Sequence, residues 1–182
     1  MNYCSHCGAS VSFEVPSGDD RPRYLCHHCG TVHYQNPRIV AGTIPVYEGK
    51  VLLCRRAIEP RHGYWTLPAG YMENGETTEQ AAWRETWEEA QADVKVGHLY
   101  TLIDLPHINQ VYMIFRAEAG PDFAAGPESL EVALFDEQDI PWDHLAFPTI
   151  VRTLEHFFED RPTGKFPLHT STMDKRDRKG MF

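Results

Sequence analysis

Four glutamates, Glu76, Glu85, Glu88 and Glu89, fall in the stretch GYMENGETTEQAAWRETWEE that runs from Gly70 to Glu89. If the residues from Thr77 to about Ala90 form a helix, Glu85 and Glu89 stand at i and i+4, and Glu85 and Glu88 at i and i+3. All three then project from one face within about one turn. Like charges so close repel and weaken a helix unless a cation neutralises them. A divalent cation does this, and hard carboxylate oxygens suit magnesium or manganese. A Glu run taken alone is more often a solvated helix face, so the residues around it must decide.

A second set of ligand-type residues opens the chain. Cys4-Ser5-His6-Cys7-Gly8 and Cys26-His27-His28-Cys29-Gly30 repeat one pattern, with 18 residues between Cys7 and Cys26. That spacing fits a four-cysteine zinc site. Four thiolates close the tetrahedral shell, so such a metal is structural and holds no reactive water. Gly8 and Gly30 permit a tight turn that aims backbone N–H groups at the sulfurs. A segment this short buries too little apolar surface to fold unaided, and the metal supplies what the core lacks. Disulfides compete with this reading, but the start Met1-Asn2-Tyr3-Cys4 has no basic-then-apolar signal region, and a reducing compartment disfavours them. His6, His27, His28 and His33 read as solvated, and Cys54, inside the apolar run Val51-Leu52-Leu53-Cys54, as a buried, inert thiol.

The elements that must position these groups are partly legible. Thr77 and Gln80, three residues apart, form a reciprocal helix-start pattern, and Ala81, Ala82, Arg84 and the glutamates are good helix formers. Ahead of them, Leu67-Pro68-Ala69-Gly70-Tyr71 and Glu73-Asn74-Gly75 carry turn signals. The region reads as strand, glycine-bearing loop and acidic helix. Ile39 to Tyr47 and Lys50 to Arg55 are strand-like runs joined by Glu48-Gly49, a hairpin signal, with Pro45 suggesting an edge position or a bulge. Further strands are predicted over Tyr64 to Leu67, Val94 to Asp104, Gln110 to Ala117 and Glu131 to Phe135. Phe147-Pro148-Thr149 opens a last helix whose stripe Ile150, Val151, Leu154, Phe157 and Phe158 has helical spacing. Strands on both sides of one helix, with a helix after them, predict an α/β fold with a mixed sheet between helices.

The boundaries read as a zinc ribbon over 1–34 with a hairpin tip at Gly18-Asp19-Asp20, a second domain over 35–165, and an irregular tail over 166–182. The tail's charged run Asp174 to Lys179 reads as solvated. At 182 residues, with 42% hydrophobic and 24% charged residues, the chain is that of a globular protein with a small appendage. No apolar run approaches the length of a membrane span, and a cytoplasmic protein is expected. The net charge of −9 argues against broad nucleic-acid binding.

Gly70, five residues, Glu76, seven residues, Arg84-Glu85, two residues, Glu88-Glu89 resembles the signature box of the Nudix hydrolases. Gln91 departs from it where the family has Gly, and Thr86 stands where an aliphatic residue is common. With both CxxCG copies, His33-Tyr34-Gln35-Asn36-Pro37, His62 to Gly70 and Gly126 to Glu131, the chain is similar to the zinc-ribbon branch, the group that includes plant chloroplast ADP-ribose/FAD pyrophosphatases. The NADH pyrophosphatases also pair a ribbon with this domain. Their Ser-Gln-Pro-Trp-Pro-Phe-Pro-type motif is missing here, where Leu105-Pro106-His107-Ile108-Asn109-Gln110 stands.

The resemblance implies a Nudix α/β/α sandwich and magnesium-dependent hydrolysis of a phosphoanhydride in a nucleoside diphosphate derivative, ADP-ribose or FAD, with NADH as a further candidate. It makes Glu85, Glu88 and Glu89 metal ligands (Mg²⁺ or Mn²⁺), Glu76 a supporting acid, and Arg84 the residue that orients the glutamates. The general base is a box glutamate or one on a distant loop. Glu128 is the distant candidate, because some relatives carry such a Glu before a strand, on a loop able to swing over the metals. Glu118 and Glu131 are alternatives. Tyr64, Trp65 or Tyr71 are candidates to stack on a flat ring, and Gly70 to let backbone approach a phosphate. The implied partner is a small nucleotide, with a homodimer expected. Two other classes remain open: an RNA 5′-end (nucleotide cap) hydrolase, and a non-enzymatic nucleotide sensor.

Overall fold

The computed structural model describes residues 1–174. The charged run expected in the tail lies, apart from Asp174, outside the described residues. The chain divides into two compact units, Met1–Pro37 and Arg38–Phe182, so the boundary falls three residues later than the sequence suggested.

The first unit is built around its cysteines. Strands β1 (Ser12–Glu14), β2 (Arg23–Leu25) and β3 (Val32–His33) form one antiparallel sheet in that order. At the hairpin tip the Asp19 carboxylate accepts the N–H groups of Asp20 and Arg21 and pairs with Arg23 at 3.0 Å, which closes the turn. Gly8 and Gly30 take matching left-handed conformations, φ 76 and φ 74. Their N–H groups donate to the carbonyls of Cys4 and Cys26, at 2.9 and 2.8 Å. The turns aim backbone N–H groups at the sulfurs as expected, that of His6 lying 3.4 Å from Cys4 Sγ.

The second unit is a mixed sheet between two helices. Its strands are β4 (Arg38–Tyr47), β5 (Lys50–Arg56), β6 (Trp65–Thr66), β7 (Ala69–Tyr71), β8 (Val94–Leu105), β9 (Gln110–Ala119), β10 (Ser129–Phe135) and β11 (His169–Thr172). The main path runs β10-β5-β4-β9-β8-β11, with β6 added to β5 and β7 to β4. Pairings β4/β9 and β8/β11 are parallel, and the others antiparallel. Glu48 and Gly49, both at positive φ, make the tight β4–β5 turn that right-twisted hairpins favour.

Strand β4 is interior, contrary to the edge or bulge expected from Pro45. On one side it is parallel to β9 from Arg38 to Val46. On the other it pairs with β7 at Val40 to Gly42 and with β5 only from Val46. The Thr43 N–H points to this second side, toward Pro68 O, and so must position 45, two residues on. The donor that proline lacks therefore falls in the gap between the two pairings.

Alternate residues of β4 and β9 face opposite helices. Ala41 and Phe115 pack with Ala81 and Ala82 of α1 (Thr78–Ala90). Ile44 and Ile114 pack with Ile150, Leu154, Phe157 and Phe158 of α2 (Pro148–Asp160), the apolar stripe expected from the sequence. Each such side chain contributes about 1.5–3 kcal/mol on burial, so α2 is held mainly by this stripe. Thr86, in the place of an aliphatic residue, is fully buried yet satisfied. Its hydroxyl donates to Ala82 O at 2.7 Å and receives that of Thr43 at 2.7 Å. Cys54 is buried as expected, and burial pushes its thiol well above the ordinary range.

The expected irregular tail is corrected by β11. Residues His169–Thr172 lie parallel to Thr101–Asp104 at the sheet edge, and the Met173 N–H donates to Asp104 O at 2.9 Å. Tyr100 and His169 both bond Asp160 Oδ2 at 2.8 Å, which fastens the start of this strand to the end of α2. No helix among the described residues is long and apolar enough to cross a membrane.

Candidate active site and metal centre

Helix α1 begins as its sequence demands. Thr77 accepts the Gln80 N–H, and the Gln80 side chain accepts the Thr77 N–H at 2.7 Å. The helix ends on Gln91, which adopts the left-handed conformation (φ 47) that glycine holds in the family pattern and donates its N–H to Trp87 O at 2.8 Å. The cap geometry is thus kept without glycine.

The inward face of α1 meets β7. A side chain at Gly70 would collide with the Glu85 carboxylate, so glycine here lets that carboxylate keep its place against the strand. Arg84 ties the acids together. It forms a two-point pair with Glu76, 3.0 Å from Nε and 2.8 Å from Nη2, and bonds Glu85 at 2.7 Å, Glu88 at 3.1 Å and Tyr71 O at 3.1 Å. Glu76 in turn accepts the Glu73 N–H. The Arg84 hydrogen bonds hold Glu76 below its ordinary pKa of 4.5. Glu89 is 6% exposed and reaches the Ala69 N–H at 3.3 Å. Burial, reinforced by the Glu85 charge, pushes its pKa up to about 8, and burial also raises Glu85. One arginine thus faces a crowd of carboxylates, two of them pushed toward protonation by desolvation. That is the electrostatic state a divalent cation relieves, and the all-oxygen donor set fits magnesium or manganese.

These groups form one wall of a cavity of about 800 Å³. Gly70, Tyr71, Arg84, Glu85, Glu88, Glu89 and Glu128 line it; Glu76, Tyr64 and Trp65 do not. Glu76 acts from behind, through Arg84. Trp65 stands edge-on to Phe135 with ring centroids 4.9 Å apart, and Tyr64 lies beside His144 and under Arg61. Of the three aromatic candidates only Tyr71 reaches the cavity, where its hydroxyl accepts Gln110 Nε2 at 2.7 Å.

Glu128 reaches the cavity on a loop tied by backbone hydrogen bonds to the end of α1 and to Ala57. Gly126 N–H donates to Glu89 O at 3.0 Å, Ser129 N–H to Gly126 O at 3.0 Å, and Ala57 N–H to Glu128 O at 2.8 Å. At Gly126 a side chain would strike the Glu88 carbonyl. The loop is therefore clamped to the end of α1, and the Glu128 charge helps raise both Glu85 and Glu89.

Reading motifs missed Arg56, His107 and Thr149, which also line the cavity. The Arg56 guanidinium donates to Pro60 O at 2.8 Å and covers the Phe147 ring. No ion pair among the described residues uses it. Its neighbours in sequence, Arg55 and Ala57, gave no sign of this.

In the first unit the four sulfurs of Cys4, Cys7, Cys26 and Cys29 lie within 4.8 Å of one another. Two of the separations are 3.7 Å (Cys4–Cys29) and 3.5 Å (Cys7–Cys26). Tetrahedral zinc with Zn–S near 2.3 Å requires sulfurs about 3.8 Å apart, so the cluster fits zinc. Around it, His33 Nε2 lies 3.3 Å from Cys4 Sγ and the Thr31 hydroxyl 3.1 Å from Cys29 Sγ. The Thr31 bonds lower the Cys29 thiol, toward the thiolate that a metal needs, while hydrogen bonds from the other cysteines help raise Cys7.

A glycine-bearing strand end pressed against an arginine-tied acidic helix, in a chain that also carries a four-cysteine ribbon, defines a recognisable class. Residues 36–160 match the NUDIX domain and residues 2–35 match the Nudix N-terminal family, a zinc ribbon. The chain belongs to the Nudix family, and it is a Nudix hydrolase using divalent metal. A crystal structure of a NUDIX hydrolase from Nitrosomonas europaea is 52% identical, superposes with a TM-score of 0.93, and is covered over 100% of its chain and 96% of this one. Among curated relatives, the NAD-capped RNA hydrolase NudC of Edwardsiella ictaluri is 32% identical over 72% of this chain and 49% of its own. The ADP-ribose pyrophosphatase of Methanocaldococcus jannaschii is 31% identical over 61% of this chain and 70% of its own. The chain thus spans about half the length of the NudC relatives it matches.

Proposed function

We propose that the protein is a magnesium-dependent pyrophosphohydrolase that cleaves ADP-ribose or FAD, with NADH as a further candidate, to AMP and a phosphorylated product. The observation that carries this reading is the convergence of Glu85, Glu88, Glu89 and Glu128 on one cavity large enough for a nucleotide. On this reading Glu85, Glu88 and Glu89 hold the catalytic metal and Cys4, Cys7, Cys26 and Cys29 the structural zinc. When bound, the divalent cation neutralises phosphate charge and acidifies the attacking water. Arg84 and Glu76 fix the carboxylates before substrate arrives, so no reorganisation is needed during reaction. Arg56, in no ion pair among the described residues, offers its charge to a phosphate oxygen. Glu128 takes the proton from water, its approach set by the clamped loop.

A second reading, hydrolysis of a nucleotide cap on RNA, draws on the NudC relatives alone. The net charge of −9 weighs against a long RNA contact. The test is a panel of ADP-ribose, FAD, NADH and NAD-capped RNA with Mg²⁺. AMP release from the small dinucleotides, without decapping, is expected. Decapping as the dominant activity replaces the first reading by the second, and nucleotide binding with no cleavage sinks both. In the same panel Glu128→Gln is expected to lower kcat by about 10²-fold or more. Turnover at the wild-type rate removes Glu128 from the mechanism.

A further inference from the structure

The cavity has an apolar end. It lies on the face of the sheet that packs against α2, where Leu105, Tyr112 and Met173 pack together into a floor, and Val40 and Phe147 also line the cavity. Two polar side chains that line the cavity have no hydrogen-bond partner among the described residues: both ring nitrogens of His107 and the Thr149 hydroxyl are buried and unmet. Thr149 is 2% exposed. Buried polar groups in a native protein are nearly always bonded, and leaving one unmet is costly. Their position beside a ligand cavity indicates what meets them.

Strand register places this end relative to the acids. Gly70 pairs with Ala41, Tyr71 with Val40, and Val40 with Tyr112. Arg38 pairs with Gln110, which in turn lies opposite Leu105. His107 sits in the turn Pro106–Ile108 that joins β8 to β9 just past this last row. Three residues of β4 therefore separate the Gly70 row from the His107 turn, about 10 Å at strand rise. That is roughly the reach of a nucleotide from its phosphate across the ribose to the base.

We infer that His107 and Thr149 recognise the edge of the substrate's nucleobase, and that the apolar floor takes its ring. A neutral imidazole presents one donor and one acceptor, and a hydroxyl supplies either role. A purine edge displays the same mixture on a flat apolar body. A sugar in that place would need a partner for each hydroxyl, and the floor offers mainly carbon. This assignment deepens the proposed function by naming which part of the substrate the far end holds. His107 and Thr149 are specificity residues that leave the phosphates to the acidic end.

Equilibrium binding separates this inference from the hydrolytic reading, because it needs no turnover. Binding of AMP and of ribose 5-phosphate is measured by titration calorimetry with Mg²⁺ present, for wild type, His107→Phe, His107→Gln and Thr149→Val. Phenylalanine keeps the ring and removes both nitrogens. Wild type is expected to prefer AMP by about tenfold or more, equivalent to about 1.4 kcal/mol. His107→Phe should erase most of that preference while leaving ribose 5-phosphate affinity unchanged. Thr149→Val should reduce it in part. Thermal melts identify any variant that fails to fold, and the remaining variants then carry the comparison. Equal affinity of wild type for the two ligands overturns the inference, as does an undiminished preference in every folded variant. If AMP preference depends on His107 but no substrate is cleaved, the inference stands and the hydrolytic reading falls.

Discussion

Replacing Glu89 by Gln is expected to lower kcat by about 10²–10⁴-fold while leaving the fold intact. Glutamine keeps the shape and can still accept the Ala69 N–H, but it carries no charge to hold a cation. Steady-state turnover of the preferred panel substrate measures the effect, and a rate within threefold of wild type would exclude Glu89 as a metal ligand. The same variant has a signature in stability. Burial raises the Glu89 pKa from 4.5 to about 8 in the metal-free protein. Proton uptake by this group therefore favours the folded state fully below about 4.5, and that contribution is lost as pH rises toward about 8. Glutamine removes the slope. Metal-free wild type should lose melting temperature across this window faster than Glu89→Gln, and added Mg²⁺ should restore it, since the cation takes the proton's place.

Removing zinc, by a strong chelator or by Cys26→Ser, is expected to unfold residues 1–37 while the second unit stays folded. Three strands of two or three residues each bury almost nothing, whereas binding of structural zinc to such peptides releases about 10–16 kcal/mol. The second unit has its own core around Ile44, Tyr100 and Phe157. Amide NMR spectra read both outcomes at once: signals from the ribbon should collapse to random-coil positions and those of β4 and β9 should persist. A Cys26→Ser protein with native ribbon shifts and no bound zinc would show that the unit folds without metal.

What the sequence revealed followed how local each signal was. The α1 cap, its acidic face and the paired CxxCG knuckles depend on residues within a few positions of each other, and all were legible. The two box departures were visible, but not how they are accommodated. Gln91 adopts a backbone conformation that only tertiary context imposes, and Thr86 is satisfied by Thr43 from another strand. Strand β11 left no mark because His-Thr-Ser-Thr has no apolar alternation and is held by its neighbours. Pro45 misled for a related reason, since one strand can change partners halfway. Tyr64 and Trp65 showed that aromatic identity does not say which side of a sheet a ring faces. His107 and Thr149 were invisible because an unmet hydrogen bond exists only once the walls around it are known.

The short parallel strand at the sheet edge has a kinetic consequence. Met173 and Asp174, which follow it, complete the cavity wall, yet β11 joins β8 across 68 residues of chain. Closing so long a loop is slow, and a four-residue edge strand offers few hydrogen bonds in return. The hairpins and α1 can assemble first, so the acids are in place before the pocket has its last side. The same strand is the part most readily lost in local opening. Amide exchange should be faster at Thr170 to Thr172 than in the middle of β9, and equal protection would contradict this. A substrate pocket walled by such a segment is finished last and breathes first.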